Sequence, residues 1–315
     1  MRKIVIASQL DESFNRAFAA AVEGVEVVGV PRGPALVAPP QAEVLFAAPL
    51  NRGGWDSSYP SPPGWPFGLK WVQLVGAGSD IYPKWMLEGR VVTSARGVTS
   101  LALAEFALAA IFAAAKRMPE VWIDRQAAWK PVTVSLVSGA SLGLVGFGAI
   151  SAALTPRAQA LGMRVLATRR TDAPMLAGVE RVATPAELFA RCDHVVLACP
   201  ATALTERMVN QALLAQTKPG LHLINLARGS LIDDAALLAA LDSGRVSLAT
   251  LDCAEPEPLA DGHAFYRHPR VRLSPHTSAV TPNSMGNLID KFASNLARFR
   301  AGEPLDDVVD VAAGY

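Results

Sequence analysis

From residue 141 onward the chain alternates short apolar runs with helical stretches, and this alternation constrains the fold more than any other feature. Apolar runs typical of buried strands lie at 141–145, 164–168, 194–199, 221–226, 247–251 and 271–274, and most intervals between them have helical spacing. A strand that is apolar on both faces must be covered on both sides, and repeated strand–helix units supply that cover. The pattern therefore predicts an α/β fold with a doubly wound parallel sheet.

The residues before 141 contain a second set of alternating elements. We predict strands at 3–7, 25–30, 44–47 and 71–75, and helices at 13–21 and 100–118. A last helix is predicted at 284–301, where it could return the chain to the first domain. A length of 315 residues fits two domains of ~150 residues each.

Composition excludes several classes of protein. The 29 basic and 28 acidic residues leave no excess charge to hold a polyanion, so nucleic acid is not an expected partner. The apolar stretch 101–115 is shorter than the ~20 residues of a membrane span and contains Glu105, so we expect a buried helix, no membrane partner and a cytoplasmic protein. Cys192, Cys199 and Cys253 cannot all pair and show no metal-ligand spacing, which predicts reduced thiols and no metal site.

A glycine-rich turn follows the strand at 141–145. Gly146 would permit the tight turn, Gly148 would let the backbone approach a pyrophosphate, and the amides of Ala149 and Ile150 would bind phosphate oxygens at a helix start. The third small position of this fingerprint is Ser151, for which we expect slightly looser packing. An ordinary glycine turn is the alternative, but the preceding strand and the following strand–helix units favour a dinucleotide site.

The end of the next strand indicates which dinucleotide would bind. An acidic residue at this position binds the ribose of NAD, whereas an arginine accommodates the 2′-phosphate of NADP. Here Arg169 and Arg170 follow the strand, and Thr168 or Thr171 could add a hydroxyl. Two solvated arginines at a strand end are the alternative. The sequence predicts NADP(H).

Three later strands are each followed by a polar side chain that could take part in chemistry. Arg228, Glu257 and His276 lie in the segments that follow the strands at 221–226, 247–251 and 271–274. The carboxyl ends of parallel strands meet at one edge, where doubly wound sheets bind ligands. Singly, each residue could be structural or solvated. Together they form a coherent site for hydride transfer.

With these motifs, the chain resembles the D-isomer-specific 2-hydroxyacid dehydrogenases over nearly its whole length. The resemblance includes the glycine turn, the Lys-Pro-Gly at 218–220, the Ala-Arg-Gly at 227–229, the acidic turn at 252–258 and the Ser-Pro-His at 274–276. It implies a discontinuous, flavodoxin-like substrate domain at 1–95 and 287–315 and a Rossmann cofactor domain at 96–286. It also implies a homodimer, with the helix after Ser100 and the segment near Trp129 at the interface.

The resemblance further implies a role for each site residue. Arg228 would bind the substrate carboxylate and keto oxygen, His276 would be the general acid and base, and Glu257 would orient its imidazole. Asp252 would bind the nicotinamide carboxamide. The remaining contacts would be the backbone amides of Ala77 and Gly78 for the substrate carboxylate, Cys199 and Pro200 for the adenosine side, and Leu226 for the nicotinamide side.

The sequence departs from the family pattern in three places. Ser151 replaces a glycine, Arg169 replaces the acidic residue of the NAD-using members, and residues 51–68 are longer and more aromatic than expected. That long segment serves either the substrate site or no site at all. In having an arginine at this position, the chain resembles the glyoxylate and hydroxypyruvate reductases that use NADPH.

These features predict an NADPH-dependent reductase of small 2-keto acids, with glyoxylate and hydroxypyruvate as the leading candidates. The alternative is a nucleotide-sensing protein, similar to the corepressors related to this family, that binds NADP(H) without turnover. A formate dehydrogenase is disfavoured, because that branch carries glutamine where Glu257 stands.

Overall fold

The computed structural model describes residues 2–50 and 59–315, and the chain divides into two compact units. The first unit comprises Met1–Thr99 with Thr281–Tyr315, and the second comprises Ser100–Val280. The junctions thus fall at 99/100 and 280/281, whereas the sequence analysis placed them at 95/96 and 286/287.

Strands and helices alternate along the described chain. The strands are β1 (Ile4–Ser8), β2 (Val25–Gly29), β3 (Ala42–Ala47), β4 (Trp71–Leu74), β5 (Val91–Thr93), β6 (Ser141–Val145), β7 (Arg164–Thr168), β8 (Val179–Arg181), β9 (His194–Leu197), β10 (Leu221–Asn225), β11 (Val246–Leu251) and β12 (Val271–Leu273). The helices are α1 (Glu12–Ala21), α2 (Lys84–Leu87), α3 (Ser100–Ala115), α4 (Ala149–Ala160), α5 (Pro185–Arg191), α6 (Gln211–Ala215), α7 (Asp234–Asp242) and α8 (Ser284–Ala301).

The first unit contains a five-stranded parallel sheet in the order β2-β1-β3-β4-β5. This is the flavodoxin-like order. Phe14 and Phe18 of α1 pack against Phe46 of β3 and Phe292 of α8, and the rings of Phe46 and Phe292 lie 4.5 Å apart. This aromatic cluster fixes the last helix against the first sheet, because four large rings are removed from water together.

The second unit contains a seven-stranded parallel sheet in the order β12-β11-β10-β9-β6-β7-β8. Counted from β6, the order is 7-6-5-4-1-2-3, which is the Rossmann arrangement with one added strand. The predicted α/β class with doubly wound parallel sheets is confirmed. The order reverses between β6 and β9, and this switch point is where open parallel sheets bind ligands.

Two strands and one helix end differ from the sequence prediction. The strands β5 and β8 are not predicted from the sequence, because each has three residues and β8 includes Glu180 and Arg181. The helix predicted to end at 118 ends at Ala115, and Arg117 takes a left-handed backbone conformation with φ 54°. That conformation turns the chain before Pro119 can interrupt the helix.

The apolar stretch 101–115 forms most of α3 and packs against α4. Ala104, Ala107 and Ile111 are fully buried in an apolar cluster with Leu154 of α4, so the helix buries one face, whereas Leu101 and Glu105 are exposed. Among the described residues, no helix has both the length and the apolar character needed to cross a bilayer.

Candidate active site

The register of the large sheet aligns the ends of the strands that carry the predicted site. Val145 of β6 pairs with Leu197 of β9, which pairs with Asn225 of β10. Asn225 in turn pairs with Leu251 of β11, and Leu251 pairs with Leu273 of β12. The segments carrying Gly146, Cys199, Arg228, Asp252 and His276 therefore leave the sheet at one edge, in the order in which their strands lie.

Gly146 makes the turn from β6 into α4. Its φ is +94°, and a Cβ atom there would lie 2.9 Å from the Ala198 carbonyl oxygen, so only glycine fits without a shift of the backbone. Gly148 is the N-cap of α4, and no side chain of the described residues caps this helix end. The first amides of α4 are therefore available to an anion, and the helix dipole favours negative charge there.

Ser151 compensates for the missing third glycine. Its hydroxyl donates to the Gly146 carbonyl oxygen at 2.7 Å, and the residue is fully buried. The serine hydroxyl is thus bonded inside the turn, and the slightly looser packing expected here stays a prediction. The glycine turn and the first turn of α4 are thereby joined.

At the end of β7, Thr168 contacts this turn, and Arg169 and Arg170 follow it in the chain. The Thr168 hydroxyl accepts from the Gly146 amide at 3.4 Å. The Arg169 guanidinium donates to the Thr171 hydroxyl at 3.1 Å and to the Pro174 carbonyl oxygen at 3.0 Å. Arg170 is exposed. The Arg169 guanidinium is thus turned toward residues 171–174, and the binding of a 2′-phosphate by Arg169 and Arg170 stays a prediction.

His276 and Glu257 are brought together from two different strands. Nδ1 of His276 lies 2.8 Å from Oε2 of Glu257, and the other carboxylate oxygen accepts from the Ala254 amide at 3.0 Å. Because the carboxylate only accepts, Nδ1 carries the hydrogen and Nε2 faces away from Glu257. The His276 side chain is 37% exposed and that of Glu257 is 20% exposed, so the imidazole is the more accessible of the two.

The backbone at His276 has a φ of 50°, in the left-handed region that few residues other than glycine adopt. Asp252 holds the segment that adopts this conformation. Its carboxylate accepts from the Ser274 hydroxyl at 2.6 Å, the Thr277 amide at 2.9 Å, and both the amide and the hydroxyl of Ser278. Burial opposes ionisation, but these four hydrogen bonds outweigh it and lower the pKa of Asp252.

The donors that surround Asp252 come from the segment after β12 and are not predicted by the sequence around Asp252. A carboxylate has about four lone-pair positions, and four protein donors surround this one. The binding of the nicotinamide carboxamide by Asp252 stays a prediction.

Arg228 follows β10 in a turn that is shaped by Asn225. The buried Asn225 amide donates to the Arg228 carbonyl oxygen at 2.8 Å and accepts from the Ala227 amide at 3.1 Å. Next to Arg228, a Cβ atom at Gly229 would lie 2.0 Å from the Ala254 carbonyl carbon. Because Gly229 has no side chain, the turn carrying Arg228 packs directly on the turn carrying Glu257.

Cys253 also lies in this cluster, although the sequence analysis gave it no role. Its Sγ is 3.8 Å from Nε2 of His276 and 3.4 Å from the Ala227 carbonyl oxygen. Cys253, Glu257 and His276 each present a ligand atom within 4.8 Å of the others. Sequence spacing could not reveal this group, because its members come from two strand ends and are separated by up to 23 residues.

The remaining predicted residues differ in their exposure. Cys199 is partly buried, with Sγ 4.0 Å from the sulfur of Met208, and burial raises the pKa of its thiol to about 11. Pro200 is exposed, whereas Leu226 is buried in the apolar cluster that contains α3 and α4.

The predicted carboxylate-binding loop lies in the first unit, directly after β4. Ala77 is exposed, and among residues 2–50 and 59–315 neither its amide nor that of Gly78 donates to a backbone carbonyl. Of the long segment 51–68, residues 51–58 lie outside the described residues. The centres of the Trp65 and Trp85 rings lie 4.6 Å apart, and the Arg90 guanidinium lies 4.5 Å from the centre of the Trp65 ring.

Comparison with known proteins gives consistent matches. The family model of the D-isomer-specific 2-hydroxyacid dehydrogenase NAD-binding domain matches residues 108–278. The glyoxylate/hydroxypyruvate reductase A of Serratia proteamaculans (strain 568) is 32% identical over 260 residues, which cover 78% of this chain and 82% of that protein.

Solved structures agree with these matches. A D-isomer-specific 2-hydroxyacid dehydrogenase from Xanthobacter autotrophicus Py2, in complex with NADPH and MES, has a TM-score of 0.85 at 27% identity and covers 100% of both chains. An NADPH-dependent glyoxylate/hydroxypyruvate reductase from Sinorhizobium meliloti, in complex with NADP and malonate, has a TM-score of 0.77 at 26% identity and covers 98% of this chain and 97% of that one.

Proposed function

Because the chain belongs to the D-isomer-specific 2-hydroxyacid dehydrogenase family, we propose that it is an NADPH-dependent reductase of small 2-keto acids, with glyoxylate and hydroxypyruvate as its leading substrates. The observation that carries the proposal is the hydrogen-bonded pair of His276 and Glu257 at the sheet edge that also bears Arg228 and the Gly146 turn. The reductase from Serratia proteamaculans and the two NADPH- and NADP-bound relatives support both the reaction and the cofactor.

The chain's own residues fit a dinucleotide phosphate. Gly146 makes a tight turn that a Cβ atom would block, and the uncapped start of α4 offers the amides of Ala149 and Ile150. Arg169 and Arg170 would bind the 2′-phosphate, because a guanidinium presents paired donors to phosphate oxygens. When bound, NADPH supplies the hydride for the reaction.

His276 would supply the proton. Glu257 holds Nδ1, which leaves Nε2 as the atom that donates to the keto oxygen as the alkoxide develops. In the reverse direction, Nε2 would accept the proton from the hydroxyl group.

Arg228 would hold the substrate. Its guanidinium can donate to a carboxylate oxygen and to the keto oxygen together, and its charge stabilises the negative charge that develops on the keto oxygen. Asn225 supports this role because it fixes the backbone of the turn from which Arg228 projects. The roles that the resemblance implies for Ala77, Gly78, Asp252, Cys199, Pro200 and Leu226 stay predictions.

The proposal is tested by a spectrophotometric panel of 2-keto acids with NADPH and NADH in turn. We expect glyoxylate or hydroxypyruvate to be reduced, with a KM for NADPH at least ~10-fold below that for NADH, about 1.4 kcal/mol. Arg169→Ala should bring the two KM values together, whereas Arg157→Ala, an arginine on the exposed side of α4, should leave their ratio unchanged. Equal KM values in the unaltered protein would reject the cofactor assignment.

The same panel distinguishes the second candidate, a nucleotide-sensing protein. That protein would bind NADPH in a fluorescence titration and consume none with any keto acid. The complete set of Arg228, Glu257 and His276 favours the enzyme. We further propose a substrate domain formed by the first unit, a cofactor domain formed by the second, a homodimer and a cytoplasmic location.

A further inference from the structure

We propose that Cys253 and His276 form a binding site for a thiophilic divalent metal ion, with Zn²⁺ as the ion, and that occupancy of this site blocks the reductase. The metal site itself rests on geometry alone, whereas its inhibitory effect rests on the proposed function. Neither the reaction nor its cofactor requires such an ion.

The distance between the two ligand atoms matches a shared zinc ion. Zinc bonds of about 2.3 Å to sulfur and about 2.0–2.1 Å to imidazole nitrogen place two tetrahedral ligands about 3.6 Å apart. Sγ of Cys253 and Nε2 of His276 are 3.8 Å apart. This distance agrees to within about 0.2 Å with one ion bonded to both atoms, and solvent would supply its remaining ligands.

The hydrogen bond from His276 to Glu257 also orients the imidazole for metal binding. Glu257 accepts the Nδ1 hydrogen at 2.8 Å, so the neutral ring presents the lone pair of Nε2 on the side of Cys253. A carboxylate that bonds to the outer nitrogen of a ligating histidine orients the ring and makes it a stronger ligand. Glu257 would thus act in the outer shell of the ion, and Cys253 and His276 would contact it.

Burial determines how an ion would reach the site, and the ligand atoms determine which ion would bind. Cys253 is buried, while the His276 side chain is 37% exposed, so an ion reaches the thiol from the side of the imidazole. On binding, the Cys253 thiol releases its proton to solvent, one S–Zn bond forms, and no electron is transferred. Sulfur and imidazole select Zn²⁺ over Mg²⁺ or Ca²⁺, which prefer oxygen ligands.

An ion at this site would occupy the atom that catalysis needs. Nε2 cannot bond to Zn²⁺ and donate a proton to a keto oxygen at the same time. We therefore expect inhibition that metal chelation reverses.

The test is a titration of the metal-free full-length protein with Co²⁺, without cofactor or keto acid, followed by the near-ultraviolet charge-transfer band of cobalt–thiolate bonds. We expect one equivalent of Co²⁺ to bind and to produce this band. Zn²⁺ should displace the Co²⁺ and remove the band, whereas Mg²⁺ should leave the band unchanged. Cys253→Ser should abolish the band and Glu257→Gln should weaken binding ~10–100-fold. Cys199→Ala is the matched control, because that thiol lies in the same unit against Met208, and it should retain the band.

Absence of the band in the unaltered protein, or its survival in a folded Cys253→Ser variant, would overturn the proposal. If circular dichroism shows that the serine variant does not fold, His276→Gln replaces it. We expect this variant also to lose the band, and a band that persists in it would contradict the proposed site. A second readout is the rate of keto-acid reduction: Zn²⁺ should inhibit it, EDTA should restore it, and Cys253→Ser should raise the inhibition constant at least ~10-fold. Because the cobalt titration needs no turnover, it tests the metal site even if the protein has no reductase activity.

Discussion

Asp252 and Glu257 lie on the same turn but act on different parts of the site. Asp252 is buried and bonds to Ser274, Thr277 and Ser278, so it fixes the backbone on either side of His276. Glu257 is partly exposed and bonds to the imidazole itself. One carboxylate thus sets the path of the chain and the other sets the orientation and tautomer of the ring.

Replacement of His276 tests the source of the proton. His276→Gln should lower kcat for glyoxylate by ~10²–10⁴, because it removes the proton donor that Glu257 holds. NADPH binding, measured by fluorescence titration, should be retained. His268→Gln is the control, since His268 lies in the same unit and bonds to Asp242. Turnover of His276→Gln within about a factor of two of the unaltered protein would remove His276 from the mechanism.

Replacement of Arg228 tests the geometry of substrate binding separately from charge. Arg228→Lys keeps the positive charge but loses the paired donors of the guanidinium. We expect kcat/KM for glyoxylate to fall by at least ~10-fold, with the KM for NADPH unchanged. Arg245→Lys, whose guanidinium donates to the Thr217 carbonyl oxygen, is the matched control. A twofold effect or less at Arg228 would argue against bidentate binding.

At the scale of the elements, the site depends on how closely the turns after β10 and β11 pack. A methyl group at Gly229 would meet the Ala254 backbone, so Gly229→Ala must push the two turns apart. A displacement of about 1 Å at a catalytic group costs about 10²-fold in rate, and we expect kcat/KM to fall by that amount.

The control for this prediction is Gly286→Ala in α8, where an added Cβ atom has no neighbour within 4 Å. That change should leave the rate unaltered and stabilise the helix by about 0.5–1 kcal/mol. Thermal unfolding followed by circular dichroism, together with steady-state kinetics, measures both effects. Normal kinetics for Gly229→Ala would show that the close approach of the turns does not position Arg228.

The elements that carry the site could be predicted from sequence, because their strands are continuous apolar runs with glycine or polar residues after them. The short strands β5 and β8 could not, since three residues give no periodicity. The contacts of Cys253 and of the Asp252 carboxylate could not be predicted from the sequence either. They depend on which strands are neighbours and in what register, and no local spacing along the chain records that.

A buried histidine pair also depends on which strands are neighbours, so the sequence does not predict it. This pair affects the stability of the whole molecule. Nδ1 of His194 on β9 lies 3.1 Å from Nδ1 of His222 on β10, and Nε2 of His222 lies 2.9 Å from the Thr250 hydroxyl. Burial lowers the pKa of His194 to about 4 and that of His222 to about 3. Both rings are neutral in the folded protein, and one nitrogen of the pair donates while the other accepts.

This pair predicts a loss of stability in acid. In the unfolded chain both histidines bind protons near pH 6.5, so between about pH 6.5 and pH 4 the unfolded state binds more protons than the folded state. Between about pH 6 and pH 4, each ring should lower the free energy of unfolding by about 1.4 kcal/mol per pH unit of acidification.

Urea unfolding at pH 7.5, 6.0 and 5.0 measures this slope. His194→Asn with His222→Asn should lower stability at pH 7.5 and flatten the slope, while His268→Asn should leave the slope unchanged. A slope in the unaltered protein that the double variant retains would assign the pH dependence to other groups.

The assembly of the whole molecule is predicted from the segment between α3 and β6. In this segment the side chains of Trp122 and Trp129 are 70% and 80% exposed. Such apolar exposure on one segment is typical of an interface, and a two-fold axis would let each copy cover the other's segment. We expect sedimentation velocity to give a dimer at micromolar concentration. Trp122→Ser with Trp129→Ser should shift it to monomer, whereas Leu204→Ser, at a leucine that is 83% exposed elsewhere in the same unit, should not. A monomeric unaltered protein, or a double variant that remains dimeric, would place any interface on another surface.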